Sequence, residues 1–375
     1  MINRIWTIVI KELIQIRRDK LTLIIIFIFP ILMLILFGYA LNFDVKEVQI
    51  GVLDRDKSEL SREFINSLDK TEYFEIVTQF ENQRQVDFAL DEGQVQCVLS
   101  IPEKLSEDFY SNKNAKIQYL VDGVNGNTAT VIASYVAAAT RNLSNKYVNE
   151  VLEKKGINFV SPVELKQSFW FNPELKTTQF LILGLIASIL ITLAVVLTAV
   201  AIVRERELGT IEQINVSPIT SVELLFGKII PYILISLLVA ATILLVSYIL
   251  FDVRVKGSLV LLFITTLFYL FACLSLGIFV STISDSQQVA YQLGIIISQL
   301  PSNILSGFMF PIESMPPAVQ VLTNITPSKF YIVGLRAIVI RAVGLEAFWQ
   351  QLVYLTIFAV VCLAIASLKF IKQRY

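Results

Sequence analysis

Six stretches of about twenty or more apolar residues, almost free of charge, punctuate this 375-residue chain. A helix needs about 20 such residues to cross a bilayer, and inside hydrocarbon a backbone must satisfy its own hydrogen bonds. The stretches cover residues 21–41, 178–203, 225–251, 258–280, 289–311 and 348–368. They predict a polytopic α-helical membrane protein with six transmembrane helices. A mean hydropathy of +0.67 and a charged fraction of 17% point the same way, since soluble chains average about 25% charged residues.

Between the first and second stretches lies a polar, net-acidic insert, residues 42–176, long enough for a compact domain of its own. Short apolar runs at 48–53, 73–77, 95–100 and 117–121 read as strands. Helical patterns at 61–68, 86–92 and 102–110 alternate with them, and 128–155 reads as one long helix stopped by Gly156. The insert is therefore expected to be a small α/β domain. Asp54, Asp56 and Asp122 stand at strand ends, where an aspartate caps a turn or, less commonly, helps hold a cation or phosphate.

Charge orients the chain. Lys11, Arg17, Arg18 and Lys20 precede the first span, which places the N-terminus in the cytoplasm by the positive-inside rule. Counting spans puts 42–176 outside, 204–224 inside and 312–347 outside. The tail 369–375, with Lys369, Lys372 and Arg374, then returns to the cytoplasm. A cleaved signal peptide is the rival reading of the first span, with Gly38-Tyr39-Ala40 as its small-residue site. The apolar core is longer than the 7–15 residues usual for such a peptide.

Several activities drop out. The chain has no histidine, so histidine-dependent hydrolase and zincin mechanisms are excluded. Its balanced charge offers no footprint for nucleic acid. It lacks Gly-x-x-x-x-Gly-Lys-[Ser/Thr], and Lys228 after Gly227 has no glycine five residues before it, so no P-loop cradles a triphosphate here. Spans nearly bare of ionisable groups are poor equipment for a proton-coupled transporter.

Two polar segments beside the bilayer remain. Residues 1–20 place Ile5, Ile8, Val9, Leu13 and Ile16 on one helical face, as an interfacial helix would. The segment 204–219 opens with charges of both signs, continues with Ile211, Ile214 and Ile219 at helical spacing, and breaks at Pro218; it reads as a short amphipathic helix or as a solvated loop.

The run Glu-Arg-Glu-x-Gly-Thr-x-Glu from Glu205 to Glu212, with Pro218-Ile219 after it, resembles the signature of type-2 exporter permeases of the ATP-binding cassette superfamily. Lys11-Glu12 through Arg17-Arg18-Asp19 resembles that family's elbow helix. The segment Leu305 to Pro316 resembles its segment after the fifth span, and Pro327 with Leu335-Arg336 resembles the loop that follows. The large insert between spans one and two is similar to the multidrug-efflux-like branch.

The resemblance implies a permease that exports a hydrophobic or amphipathic compound and is itself no enzyme. A separate ATPase subunit would carry ATP and magnesium, with no cofactor in this chain. Implied partners are that ATPase, a second permease chain as homodimer or heterodimer, the lipid of an inner membrane, and, left open, a periplasmic adaptor. Coupling to the ATPase would fall to Arg204, Glu205, Arg206, Glu207, Gly209, Thr210, Glu212 and Pro218, through ion pairs made by the acidic and basic members. An outer gate would fall to Gly307, Phe308 and Pro311. A secondary transporter and a membrane-anchored sensor or scaffold with a ligand-binding insert are the alternative classes.

Overall fold

The computed structural model describes residues 2–40, 48–69, 74–111, 115–124, 126–154, 177–209 and 221–374. The chain divides into two compact units, one built from residues 1–42 and 169–375, the other from 43–168. Of the coupling residues, Thr210, Glu212 and Pro218 lie outside the described residues, as does the Gly156 stop.

The first unit is a helical bundle. Helix α1, Ile2–Arg18, turns Val9, Glu12 and Ile16 inward and is followed directly by α2, Lys20–Ala40. Asp19 makes the break between them. Its carboxylate accepts from the Thr22 amide at 3.1 Å and the Thr22 hydroxyl at 2.8 Å, which caps the start of α2. The bundle resumes at α7, Thr177–Glu207, then α8, Ser221–Phe251, and α9, Leu259–Ile283. Helix α10 spans Gln287–Leu305 from its N-cap Ser286. Short α11, Pro317–Leu322, and α12, Pro327–Val339, lead into α13, Trp349–Arg374.

Helix α7 is the axis of the bundle. Two-thirds (67%) of its apolar window is buried, against 22% for those of α2 and α13. Helix α9 approaches it backbone to backbone at Gly277, where an added Cβ would sit 2.8 Å from the Val195 carbonyl oxygen. Close approach through small residues is how helices pack when lipid supplies no hydrophobic drive. A chain of buried hydroxyls crosses the same core. The Tyr269 hydroxyl donates to the Ala187 carbonyl at 2.6 Å and lies 3.0 Å from Ser328, which in turn accepts from Ser302 at 2.8 Å.

Five described helices, α2, α7, α8, α9 and α13, are long and apolar enough to cross a membrane. The expected fifth span differs. Helix α10 is 19 residues long and carries Gln287, Gln288, Gln292, Gln299 and Asn303, so its amides leave it short of that apolar standard. It also runs through Pro301 and ends at Leu305, earlier than the expected limit at 311. Helix α7, in turn, continues through Arg204 to Glu207, so the first residues of the expected loop are helical.

The second unit is α/β. Its sheet has the order β2-β1-β3-β4, with β1 (Val48–Asp54) parallel to β2 (Phe74–Gln79) and β3 (Cys97–Ile101), and β4 (Gln118–Val121) antiparallel to β3. Strand β1 alternates between two cores. Ile50 and Val52 pack with α3 (Glu59–Asp69) and α6 (Gly126–Lys154), while Leu53 packs with α4 (Gln83–Asp91). Burial on both faces explains why the strand reads as a continuous apolar run. Short α5, Leu105–Tyr110, begins three residues after Pro102, so that proline stands ahead of the helix.

Candidate functional site

Four charges on three helices close a ring at one end of the bundle. Lys228 of α8 lies 2.8 Å from Glu205 of α7 and 3.4 Å from Glu12 of α1; Lys11 of α1 lies 3.4 Å from Glu12 and pairs with Glu205. The Tyr232 hydroxyl donates to Glu12 at 3.4 Å. Lys228, Glu12 and Glu205 are all buried, and only Lys11 reaches solvent. Buried charge persists when it is paired and hydrogen-bonded, and this ring alternates sign around its whole circuit. Burial works against the Lys11 charge, but the hydrogen bond and charge of Glu205, with Glu12 behind them, leave its pKa above the ordinary value.

The neighbours of Glu205 are fixed in the same manner. Arg204 lies 3.6 Å from Asp19, whose carboxyl is held below its ordinary pKa by the Thr22 hydroxyl and amide and then by Arg204. Arg206 donates to the Ser284 and Ser281 carbonyls at 3.1 and 3.2 Å, at the C-terminus of α9. Glu207 accepts from the Gln287 amide at 2.8 Å and from its side chain, at the N-terminus of α10. A cation on a helix C-terminus and an anion on the next helix N-terminus each meet the favourable end of a macrodipole. Gly209, at φ +68°, stops α7 in the left-handed conformation that suits glycine. Arg17 and Arg18 are exposed.

From this charged end an open cleft runs along α7 between α2 and α10. Its lower part, about 280 Å³, is walled by Gln15, Asp19, Arg204, Glu205 and Gln287, among others. Ile25, Val196, Leu197 and Tyr291 line both this part and the next. The upper part, about 210 Å³, is walled by Phe29, Met33, Leu193 and Ile295 and holds no ionisable side chain but Tyr291. Its polar groups are neutral: Thr192, Gln299, and Ser188, which donates to Asn303 at 2.6 Å.

Phe308 lines the upper end. The chain reverses after α10 at Gly307, φ +78°, and the Phe308 ring fills the space where a Cβ on Gly184 of α7 would stand, 2.2 Å away. The Phe308 amide donates to the Ser306 hydroxyl at 3.2 Å. Pro311 follows in the exposed turn that leads to the short helix Ile312–Ser314.

The coupling and elbow residues among the described positions thus gather at one end of the bundle, and Gly307 and Phe308 at the far end of the cleft. Glu205, Arg206 and Glu207 were expected to pair with a partner protein, and the structure engages all three within the chain. Lys228, Tyr232 and Gly184 went unread as site residues. For Lys228 a signal existed: it is a cation inside an apolar run, and such a residue requires a partner. In the second unit Asp54 accepts from the amides of Asp56 and Lys57 and Asp122 from the Val124 amide, so both cap turns, whereas Asp56 accepts from the Ser106 amide and hydroxyl and ties its loop to the start of α5. No group of three potential metal ligands occurs among the described residues.

The family model described as ABC-2 family transporter protein matches residues 20–368. The chain is 30% identical over 337 residues to the probable multidrug ABC transporter permease YbhS of Escherichia coli K12, covering 90% of this chain and 88% of that protein. It is 28% identical over 352 residues to the probable multidrug ABC transporter permease YbhR of the same organism, covering 94% of each. Over 329 residues it is 32% identical to the inner membrane transport permease YhhJ, also from E. coli K12, covering 86% and 85%.

Proposed function

The chain belongs to the ABC-2 family of transporter proteins, and from that premise we propose how its parts share the work of export. It is a multi-pass inner-membrane permease, the transmembrane subunit of an ATP-binding cassette exporter, and it works with an ATPase partner and a second permease chain. The secondary-transporter and scaffold readings are not favoured. We assign α10 as a sixth span, supported by its packing along α7 despite its amides. Amides on a spanning helix need protein or a cavity beside them, and Gln287, Gln299 and Asn303 line the cleft.

In our reading both termini face the cytoplasm, which puts the charge ring inside and Phe308 outside. The unit of residues 43–168 then stands beyond the membrane, where a periplasmic adaptor would meet it. The ATPase acts at the ring end. Because Glu205, Arg206 and Glu207 are spent inside the chain, they transmit displacement instead of offering ion pairs to the partner. A push on the segment after Gly209 reaches α1 through Lys11 and Glu12, and reaches the α9–α10 turn through Arg206 and Glu207. ATP and magnesium stay on the partner subunit.

The cargo is a hydrophobic or amphipathic compound. The observation that carries this is the upper cleft itself, aromatic and aliphatic, with neutral hydrogen-bonding groups and no carboxylate or ammonium. Gly307, Phe308 and Pro311 form its outer gate. The test is purification of the tagged chain in mild detergent, with an ATPase assay on the same fraction and transport of an apolar dye by the reconstituted complex. A P-loop protein in near-equal amount and ATP-dependent dye movement are expected. A chain that purifies alone, and that crosslinks to no ATPase in intact membranes, would sink the reading.

A further inference from the structure

Among the described residues Arg336 is the guanidinium set against the Phe308 end of the cleft, and nothing in the gate described above accounts for it. It lies on α12, with its central carbon 3.4 Å from the centre of the Phe180 ring on α7. One terminal nitrogen donates to the Gly307 carbonyl at 3.1 Å. Its Nε is buried with no hydrogen-bond partner. No carboxylate lies within ion-pair distance of it among the described residues; Glu313, beyond Pro311, attracts it only from farther off, and its direct contacts are one carbonyl and one aromatic face.

Packing alone does not call for this arrangement. A neutral side chain of similar length would fill the space without the penalty of an unpaired, partly desolvated charge. What the guanidinium adds is direction. Phe180 and Gly184 are one turn apart on the same face of α7, so the ring under Arg336 and the seat of Phe308 are adjacent. The bond to Gly307 fixes the residue whose positive φ aims Phe308 at that seat. A planar fork that can stack and donate at once is specific to arginine.

We propose that Arg336 is the positioning residue of this gate, holding Phe308 across the end of the cleft through the Gly307 carbonyl and the Phe180 ring. The proposal rests on the reading of Phe308 as the closing residue. A single bond to a neutral carbonyl holds the closed state and can be exchanged when cargo displaces the ring; a carboxylate partner would hold it far more tightly.

Cysteine accessibility in membrane vesicles carrying the full chain tests this. Thr192→Cys places a thiol on the cleft wall, and Cys97, Cys273 and Cys362 are all buried, so background is low. The probe is a membrane-impermeant maleimide added on the Phe308 side. Phe308→Ala should raise the labelling rate, and Arg336→Gln should raise it about tenfold, the size expected for losing one hydrogen bond from a charged donor. Combining Arg336→Gln with Gly184→Val, which unseats Phe308 independently, should be no faster than either alone.

Fast labelling with Phe308→Ala but wild-type labelling with Arg336→Gln overturns the role of Arg336 and leaves the gate standing. Wild-type labelling with Phe308→Ala removes the gate reading itself. Should Arg336→Gln fail to accumulate, Arg336→Lys keeps the charge but loses the planar stack. It should then label faster than wild type, and a wild-type rate there counts equally against the proposal.

Discussion

Replacing Lys228 with methionine removes the cation that two buried carboxylates share. At 2.8 Å from Glu205 and 3.4 Å from Glu12, its attractions amount to about 6 and about 5 kcal/mol at an effective dielectric of about 20. Taking each ion out of water subtracts several kcal/mol, and the like charge of Lys11 subtracts more. The net loss expected for breaking such a pair is about 3–5 kcal/mol, because Glu12 and Glu205 are left buried with Lys11 alone. Methionine keeps most of the apolar stem, so lost packing adds little. Denaturant titration in mixed micelles, followed by Trp6 fluorescence on α1, reads both the loss and the release of that helix. Adding Glu205→Gln to Lys228→Met removes one stranded carboxylate and should recover part of the loss, giving a coupling of about 0.5–3 kcal/mol. A loss under about 1 kcal/mol, or strict additivity of the two changes, would refute the reasoning, since that is how an exposed pair behaves.

Three further outcomes follow from other parts of the molecule. Gly277→Leu drives a side chain into the Val195 carbonyl and Thr198, so it should cost about 1–3 kcal/mol in the same titration or more if α9 cannot shift. Cys97 is buried and its thiol is pushed up to about 12 by that burial, so a permeant maleimide should leave it unlabelled until the 43–168 unit is unfolded. The raised pKa of Lys11 means its contribution is complete below 10.5 and fades as pH climbs through the higher folded value. The lowered pKa of Asp19 means its contribution is present above 3.8 and fades as pH falls through the lower folded value. With no histidine in the chain, docking of α1 should therefore vary little between about pH 5.5 and 9, and a midpoint near pH 6–7 would contradict the assignment.

What sequence could carry was set by the range of the interactions. The strands near 50, 76, 98 and 119 follow from short apolar runs, and the long helix 126–154 follows from its own composition, because each signal lies within a few residues of its effect. The break at Asp19 was hidden within a basic cluster, though its carboxylate three residues before Thr22 is an N-cap pattern. The Lys228 ring was out of reach for a different reason: its partners are up to 216 positions away, and pairing leaves no local periodicity. Arg336 likewise reads as an ordinary loop cation until Phe180 and Gly307 are placed beside it. Helix α10 reads as a span because its amides carry no charge and because the apolar stretch begins at 289, after Gln287 and Gln288; that Gln287, Gln299 and Asn303 line a cleft is visible only once α2 and α7 stand beside them.

The separation of those ring partners also sets an order of assembly. Glu12 leaves the ribosome 216 residues before Lys228, which at about 5–20 residues per second is a wait of about 10–40 s. Through that interval α1 has no bundle to dock on, and its apolar stripe must rest in the bilayer interface, as an amphipathic helix does. The nascent chain thus carries two buried-to-be carboxylates, Glu12 and Glu205, whose buried counter-charge, Lys228, arrives last, with α8, while Lys11 is present from the start. Insertion of that helix is the event that locks the earlier ones, so a ribosome stalled before residue 228 should leave the preceding segments open to quality-control proteolysis.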